Sequence, residues 1–186
     1  MTTDAPKQKW VIAPKDHVLR TGPSDGCKVW FSTDNRWFVT QAMREKNDGP
    51  YKLVLWRTTG AKPEIHSTFF VGGHGDIVAL SPDGRFLVHA NDGLTLLDLT
   101  VNPPKLVGKL PDTVESIRWL AYSPDGRHIA AAGHKGVAVF DSKTLQPVWK
   151  WDTAPGVVYW LDWAADGRHL VTHNGNKTVY VLRLRI

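Results

Sequence analysis

His169 and His173 stand four residues apart, the spacing that would set two metal ligands side by side on a helix. The run they bracket, His169-Leu170-Val171-Thr172-His173, reads as a strand instead. Four extended residues span about 13 Å, too far for both imidazoles to hold one zinc ion. His128 and His169 occupy equivalent places in a repeat, which gives both a structural role at the start of a strand. The aspartates Asp34, Asp83, Asp125 and Asp166 offer carboxylates for acid–base work or for calcium, yet each precedes Gly or Asn and then Arg, where an aspartate caps a tight turn. Gly72-Gly73-His74-Gly75 matches a phosphate loop in glycine content only, lacking its spacing and its Lys-Ser/Thr. Cys27, the single cysteine, has no His or Asn partner close by in sequence and reads as an inert thiol. Asn176-Lys177-Thr178 fits the glycosylation sequon, but no secretion signal accompanies it. The expectation is therefore no catalytic residue, no metal and no cofactor.

The composition fits this. With 42% hydrophobic and 22% charged residues and nine tryptophans, the 186-residue chain is expected to fold around a substantial core as one domain. Its 16 glycines and 12 prolines are scattered, as punctuation between many short elements would be. One cysteine allows no internal disulfide and suits a reducing compartment, so the cytoplasm is expected. The polar start, Met1 to Lys9, lacks the apolar stretch of a secretory signal, and no later run is long and apolar enough for a membrane helix. A net charge of +5 is spread among alternating signs with no dense basic block, which makes nucleic acid an unexpected partner.

A repeat positions these residues. Ser81-Pro82-Asp83-Gly84-Arg85 recurs as Ser123-Pro124-Asp125-Gly126-Arg127, as Ala164-Ala165-Asp166-Gly167-Arg168 and, more distantly, as Ser32-Thr33-Asp34-Asn35-Arg36. The aspartates are spaced by 49, 42 and 41 residues, the first interval being lengthened by the polar insertion from Arg44 to Pro50. Each copy is an apolar alternating run, the Asp-Gly turn, a second run, another turn and a third run, which is the pattern of short antiparallel strands. Strands are expected at 77–80, 86–90, 94–99 and 106–110, then at 117–122, 128–132, 137–140 and 148–151, and finally at 157–163, 169–172 and 178–184. No window carries a sustained helical period.

A period near 41, four strands per copy, Gly73-His74 ahead of a first strand and Ser-Pro-Asp-Gly-Arg at the first turn together resemble the WD-repeat β-propeller family over roughly residues 17 to 186. The resemblance implies an all-β propeller of four four-stranded antiparallel blades, either half a ring or a small closed one, preceded by a tail over residues 1–16. The Trp-Asp that commonly ends the family's third strand is replaced by Trp56-Arg57, Leu97-Asp98, Phe140-Asp141 and Leu182-Arg183. The family's buried network of Asp, His, Ser and Trp is correspondingly incomplete: His74 and Asp92 supply two members, and Leu97 stands in place of the tryptophan. The closing segment, residues 174–184, is similar to the last repeat of large bacterial WD-repeat proteins. Because the chain ends on a third strand, residues 17–20 are expected to pair beside 179–184 and complete the last blade.

The family resemblance implies binding of a partner protein, with a propeller enzyme or a self-assembling structural protein as alternatives. The innermost strands offer mainly apolar residues, with Asp162 their single carboxylate, which disfavours catalysis. Counting back from each turn, Leu120 and Tyr122 match Leu161 and Trp163, and these are expected between blades. Trp119 and Trp160 fall out of that buried phase, near the channel mouth, with Arg118 and Tyr159 just before them. Trp, Tyr and Arg are the types enriched at binding hot spots, so these four, with Lys28 and Arg44, are the expected partner-binding residues. The competing placement has both tryptophans filling the channel or lying on a neighbouring blade. Four blades fall short of the usual seven, and a homodimer completing an eight-bladed ring is expected.

Overall fold

The computed structural model describes residues 28–42, 50–58, 62–72, 77–90, 93–134 and 136–185. They form fifteen strands in four antiparallel sheets. The first sheet runs β1 (Val29–Phe31), β2 (Trp37–Ala42), β3 (Tyr51–Arg57), β4 (Glu64–Val71), and the second β5 (Val78–Leu80), β6 (Phe86–Ala90), β7 (Leu94–Asp98), β8 (Lys105–Leu110). The third runs β9 (Glu115–Tyr122), β10 (His128–His134), β11 (Gly136–Asp141), β12 (Pro147–Trp151), and the last β13 (Val158–Trp163), β14 (His169–Asn174), β15 (Val179–Arg183). Every strand pairs with its sequence neighbour, so each sheet is an up-and-down meander, a blade. The first strands of successive blades face one another along an inner rim. The fourth blade has three strands among the described residues; the expected closing strand at 17–20, like Cys27, Arg44, His74 and Asp92, lies outside them.

The repeated turn joins the first and second strand of each blade and holds itself by side-chain bonds. In the third blade Ser123 Oγ donates to Asp125 Oδ1 (2.6 Å), Asp125 Oδ1 accepts the Arg127 N–H (3.0 Å), and Ser123 Oγ accepts the His128 N–H (2.9 Å). The same three bonds recur at Ser32, Asp34 and Trp37, and at Ser81, Asp83 and Phe86. The turn demands a left-handed residue after the aspartate: Gly84, Gly126 and Gly167 have φ of 71°, 72° and 64°, and Asn35 takes 56° in the first blade. In the fourth blade Ala164 replaces the serine, and Asp166 takes over by accepting the His169 N–H (3.1 Å) and pairing with its ring (Asp166 Oδ2 to His169 Nδ1, 2.6 Å). The turns share one edge of the assembly, where the Asp34 N–H donates to the Pro82 carbonyl (3.3 Å).

Three apolar cores lie between blades, not within them. Leu53, Leu55 and Phe69 of the first blade meet Val78, Leu80 and Leu87 of the second; Val88, Leu94 and Leu96 meet Leu120, Ile129 and Phe140; Val137 and Val139 meet Leu161, Trp163 and Leu170. This follows from the two-residue period of a strand, which gives each blade one face for the blade before and one for the blade after. Trp163 Nε1 donates to the Ala121 carbonyl (3.3 Å), tying the last two blades together at the inner rim. In the first blade Trp56 Nε1 donates to Thr40 Oγ1 (2.9 Å).

Candidate functional site at the inner rim

The first strands of the four blades line an open cavity of about 350 Å³. Its walls are Val29, Trp30 and Phe31 from β1, β5, residues 119–122 of β9, and Trp160 and Asp162 of β13. Leu120 and Leu161 turn into the blade interfaces, as their repeat position requires, at 4% and 0% exposure. Trp119 and Trp160 do not. They keep 38% and 37% of their surface, and their ring centroids lie 6.4 Å apart across neighbouring blades at 55°.

Two strand irregularities shape this wall. In β13 the register shifts between Val158, opposite Asn174, and Trp160, opposite His173, leaving Tyr159 as the extra residue of a bulge. Tyr159 is exposed and its ring edge comes to 3.2 Å of the position a side chain on Gly175 would take. In β9 a second shift separates Trp119, opposite Ala132, from Glu115, opposite His134; Arg118 lies within this stretch and is exposed. Lys28 is exposed just ahead of β1, where its carbonyl accepts the Gln41 N–H (3.1 Å). Of the residues expected on this face, the structure thus brings Trp119 and Trp160 together, sets Arg118 and Tyr159 beside them, and places Lys28 at the foot of β1.

Sequence reasoning gave Asp162 no binding role, although among the described residues it is the one charged side chain lining the cavity. Its Oδ1 accepts the Trp163 backbone N–H (2.8 Å) and the residue is exposed. Tyr122 shares the wall; its hydroxyl is buried without a hydrogen-bond partner, and burial, reinforced by the charge of Asp83, pushes its pKa well above the ordinary phenol range. Elsewhere, His169 and His173 sit at opposite ends of β14, the former bound to Asp166, whose carboxyl is held down to about 2 by the Arg168 N–H and the His169 ring. Among the described residues no three His, Cys, Asp or Glu side chains gather as a metal ion would need. No described helix is long and apolar enough to cross a membrane.

Comparison with known proteins agrees with this architecture. Residues 104–141, from β8 through β11, match the WD domain, G-beta repeat family. WD repeat-containing protein 1 of Xenopus tropicalis is 27% identical over 182 residues, covering 92% of this chain and 29% of that protein. Ciliary WD repeat-containing protein ctxp80 of Euplotoides octocarinatus is 28% identical over 165 residues, 86% of this chain and 22% of its own length. The chain therefore spans less than a third of these curated relatives. Both are eukaryotic and lend no support to the bacterial character read from residues 174–184. The β-propeller domain of Cps50 (Swd1) from Myceliophteria thermophila superposes with a TM-score of 0.72 at 18% identity, over 90% of this chain and 54% of that one.

Proposed function

With its sheets arranged as consecutive blades of a WD-repeat β-propeller, we propose that this chain is a non-catalytic interaction module. It binds a partner protein over the inner-rim face carrying Arg118, Trp119, Tyr159 and Trp160, with Lys28 and Arg44 as further contributors to binding. The observation that carries this reading is the tryptophan pair. Large apolar side chains of the same strands are buried between blades, whereas these two indoles are held on a rigid sheet with more than a third of their surface open. Rigid aromatic surface beside an arginine gives contact area at low entropic cost, the composition of a binding hot spot. An enzyme is disfavoured because, among the described residues, the cavity lining holds one carboxylate and no histidine, cysteine or second carboxylate. The single cysteine, Cys27, favours a reducing compartment.

The test is the double variant Trp119→Ala, Trp160→Ala. It is expected to lose a partner captured from the native cell, and confirmed with purified components, while its melting temperature stays within a few degrees of the parent. A double variant that unfolds would put the pair in the core and sink this reading.

A second reading, self-association into an eight-bladed ring, is favoured by where exposed apolar surface accumulates. Among the described residues the four most exposed large hydrophobics are Val181 (68%), Val179 (63%), Phe31 (61%) and Phe70 (58%). All lie on the two end faces of the row of blades. Val179 and Val181 hold the ladder positions of Val137 and Val139, which are fully buried against the fourth blade. Phe31 holds the position of Trp163, buried against the third. Each end thus carries positions that elsewhere pack against a neighbouring blade, and in this reading the last face of one copy packs on the first face of another. Mass in solution across a concentration series tests it; a strict monomer at high concentration rejects it.

A further inference from the structure

Building on the reading of the inner rim as a docking face, we propose that its cavity is a receptor for one arginine side chain of the partner. In this assignment the guanidinium stacks on the indoles of Trp119 or Trp160 and pairs with the carboxylate of Asp162. Three observations carry it. Among the described residues Asp162 is the one charged side chain of the lining, the others being aromatic or apolar side chains and Thr33, and neither Arg118 nor Lys28 is among the lining groups. The carboxylate sits on the same face of β13 as Trp160, two residues on, while its Oδ1 is already oriented by the Trp163 N–H. The indole faces are partly open to solvent and tilted, so a planar group can lie on one ring without being sandwiched between both.

The chemistry of the occupant follows by elimination. An apolar side chain would strip water from Asp162 and return no hydrogen bond, and an anion would be repelled by it. Among cations, a lysine ammonium is compact and strongly hydrated, whereas the guanidinium is flat, weakly hydrated and presents parallel N–H donors to a carboxylate while its face rests on an aromatic ring. The cavity volume falls in the range of small-ligand clefts, roughly 300–1,000 Å³, and admits a single long side chain. The repeat supports the same assignment: the places equivalent to Asp162 are Trp30, Ala79 and Ala121, so neither the turn nor the blade contact asks for an acid there.

The probe is the neutral-ended tripeptide acetyl-Gly-Arg-Gly-amide, titrated into the full chain while the indole N–H resonances are followed by NMR. Trp119→Phe and Trp160→Phe variants assign the two signals. Saturable shifts confined to Trp119 and Trp160 are expected, with affinity at least tenfold weaker for the citrulline peptide, which keeps the shape and loses the charge. The Asp162→Asn variant, whose amide oxygen can still accept the Trp163 N–H, is expected to fold normally and lose at least tenfold. Equal binding of the citrulline peptide, equal binding by Asp162→Asn, or tighter binding of the lysine peptide would each overturn the assignment. The partner-capture experiment separates the two levels. Capture that depends on the tryptophans but survives Asp162→Asn with no arginine-peptide binding leaves the docking face standing and refutes the arginine site. Arginine-peptide binding with capture unaffected by loss of the tryptophans supports the site and refutes the face.

Discussion

Gly136→Ala is expected to be the most damaging single-methyl change in the third blade. Gly136 opens β11 with φ at +133°, a backbone conformation that costs a non-glycine residue about 1–3 kcal/mol. A methyl group there would also land on the carbonyl oxygen of Trp151, with the Asp152 Cα at 3.3 Å. The obstacle is backbone, so no rotamer change relieves it; the end of β12 must move. Trp151 pairs with Val137 in the ladder, packs against the core of the last two blades and meets the Tyr180 ring at 5.4 Å. Displacing it forfeits at least one ladder bond, about 1 kcal/mol, together with part of that contact. The total comes to about 2–4 kcal/mol before the lost contact is counted. Gly93→Ala is the matched control: Gly93 lies at the corresponding turn of the second blade with φ of +105°, but nothing lies within 4 Å of its added methyl. It should cost only the backbone term of about 1–3 kcal/mol. Urea denaturation followed by circular dichroism gives both values, and the corresponding melting shifts are about 2–4 °C per kcal/mol for a chain of this size. If the two variants lose the same stability to within about 0.5 kcal/mol, about half of one net hydrogen bond, the backbone collision at Trp151 has no energetic weight and the reasoning fails.

His89 is buried in β6, and burial lowers its pKa from 6.5 to about 4. Protonation therefore favours the unfolded chain, so stability should be complete above pH 6.5 and fall by about 1.4 kcal/mol per unit, to about 3 kcal/mol, as pH drops toward 4. A urea midpoint unchanged between pH 7.5 and 4.5 would contradict this, and Asp34, Asp125 and Asp166, whose pKa values are lowered, titrate below that window. Ser123→Ala should cost about 1–2 kcal/mol by orphaning the His128 N–H, whereas Ala164→Ser should be nearly neutral because Asp166 already holds the corresponding amide; urea midpoints compare them. Phe140→Ala, at the fully buried contact of the second and third blades, should lose about 3–5 kcal/mol, read by the same assay. Val181→Lys should leave the fold intact and, if copies join end to end, convert the dimer to monomer in sedimentation equilibrium.

The strands were legible because their turns are. Asp125-Gly126 and Lys135-Gly136 bracket the expected strand 128–132, and β10 departs from it only by running on to His134. Alternation within each run then assigned Leu120, Leu161 and Trp163 to the blade contacts, and all three are buried there. The serine of the first three turns was not legible as a working residue. Its role depends on an amide five residues away that only the folded hairpin brings within 3 Å. Nor were the bulges in β9 and β13, because an extra residue in one strand shows only against its partner. The bulge in β13 matters most at the site: it leaves Tyr159 unpaired while Trp160 and Leu161 keep their separate faces.

Asp162 shows why a repeat helps most where it is broken. Four copies define what each position must do for the fold, and any residue that meets that demand carries no further information. At the position of Trp160 the copies read Lys28, Ile77, Trp119 and Trp160, so indoles are not required for blade contact there, and the pair occurs only where two adjacent blades meet. At the position of Asp162 they read Trp30, Ala79, Ala121 and Asp162, and the sole acid falls beside the sole indole pair. A carboxylate against aromatic walls gains nothing from its own blade beyond one backbone bond that an asparagine would make as well. The departures from the repeat therefore coincide at one cavity, and their chemistry, two π faces and one negative charge, is that of a receptor for a flat cation.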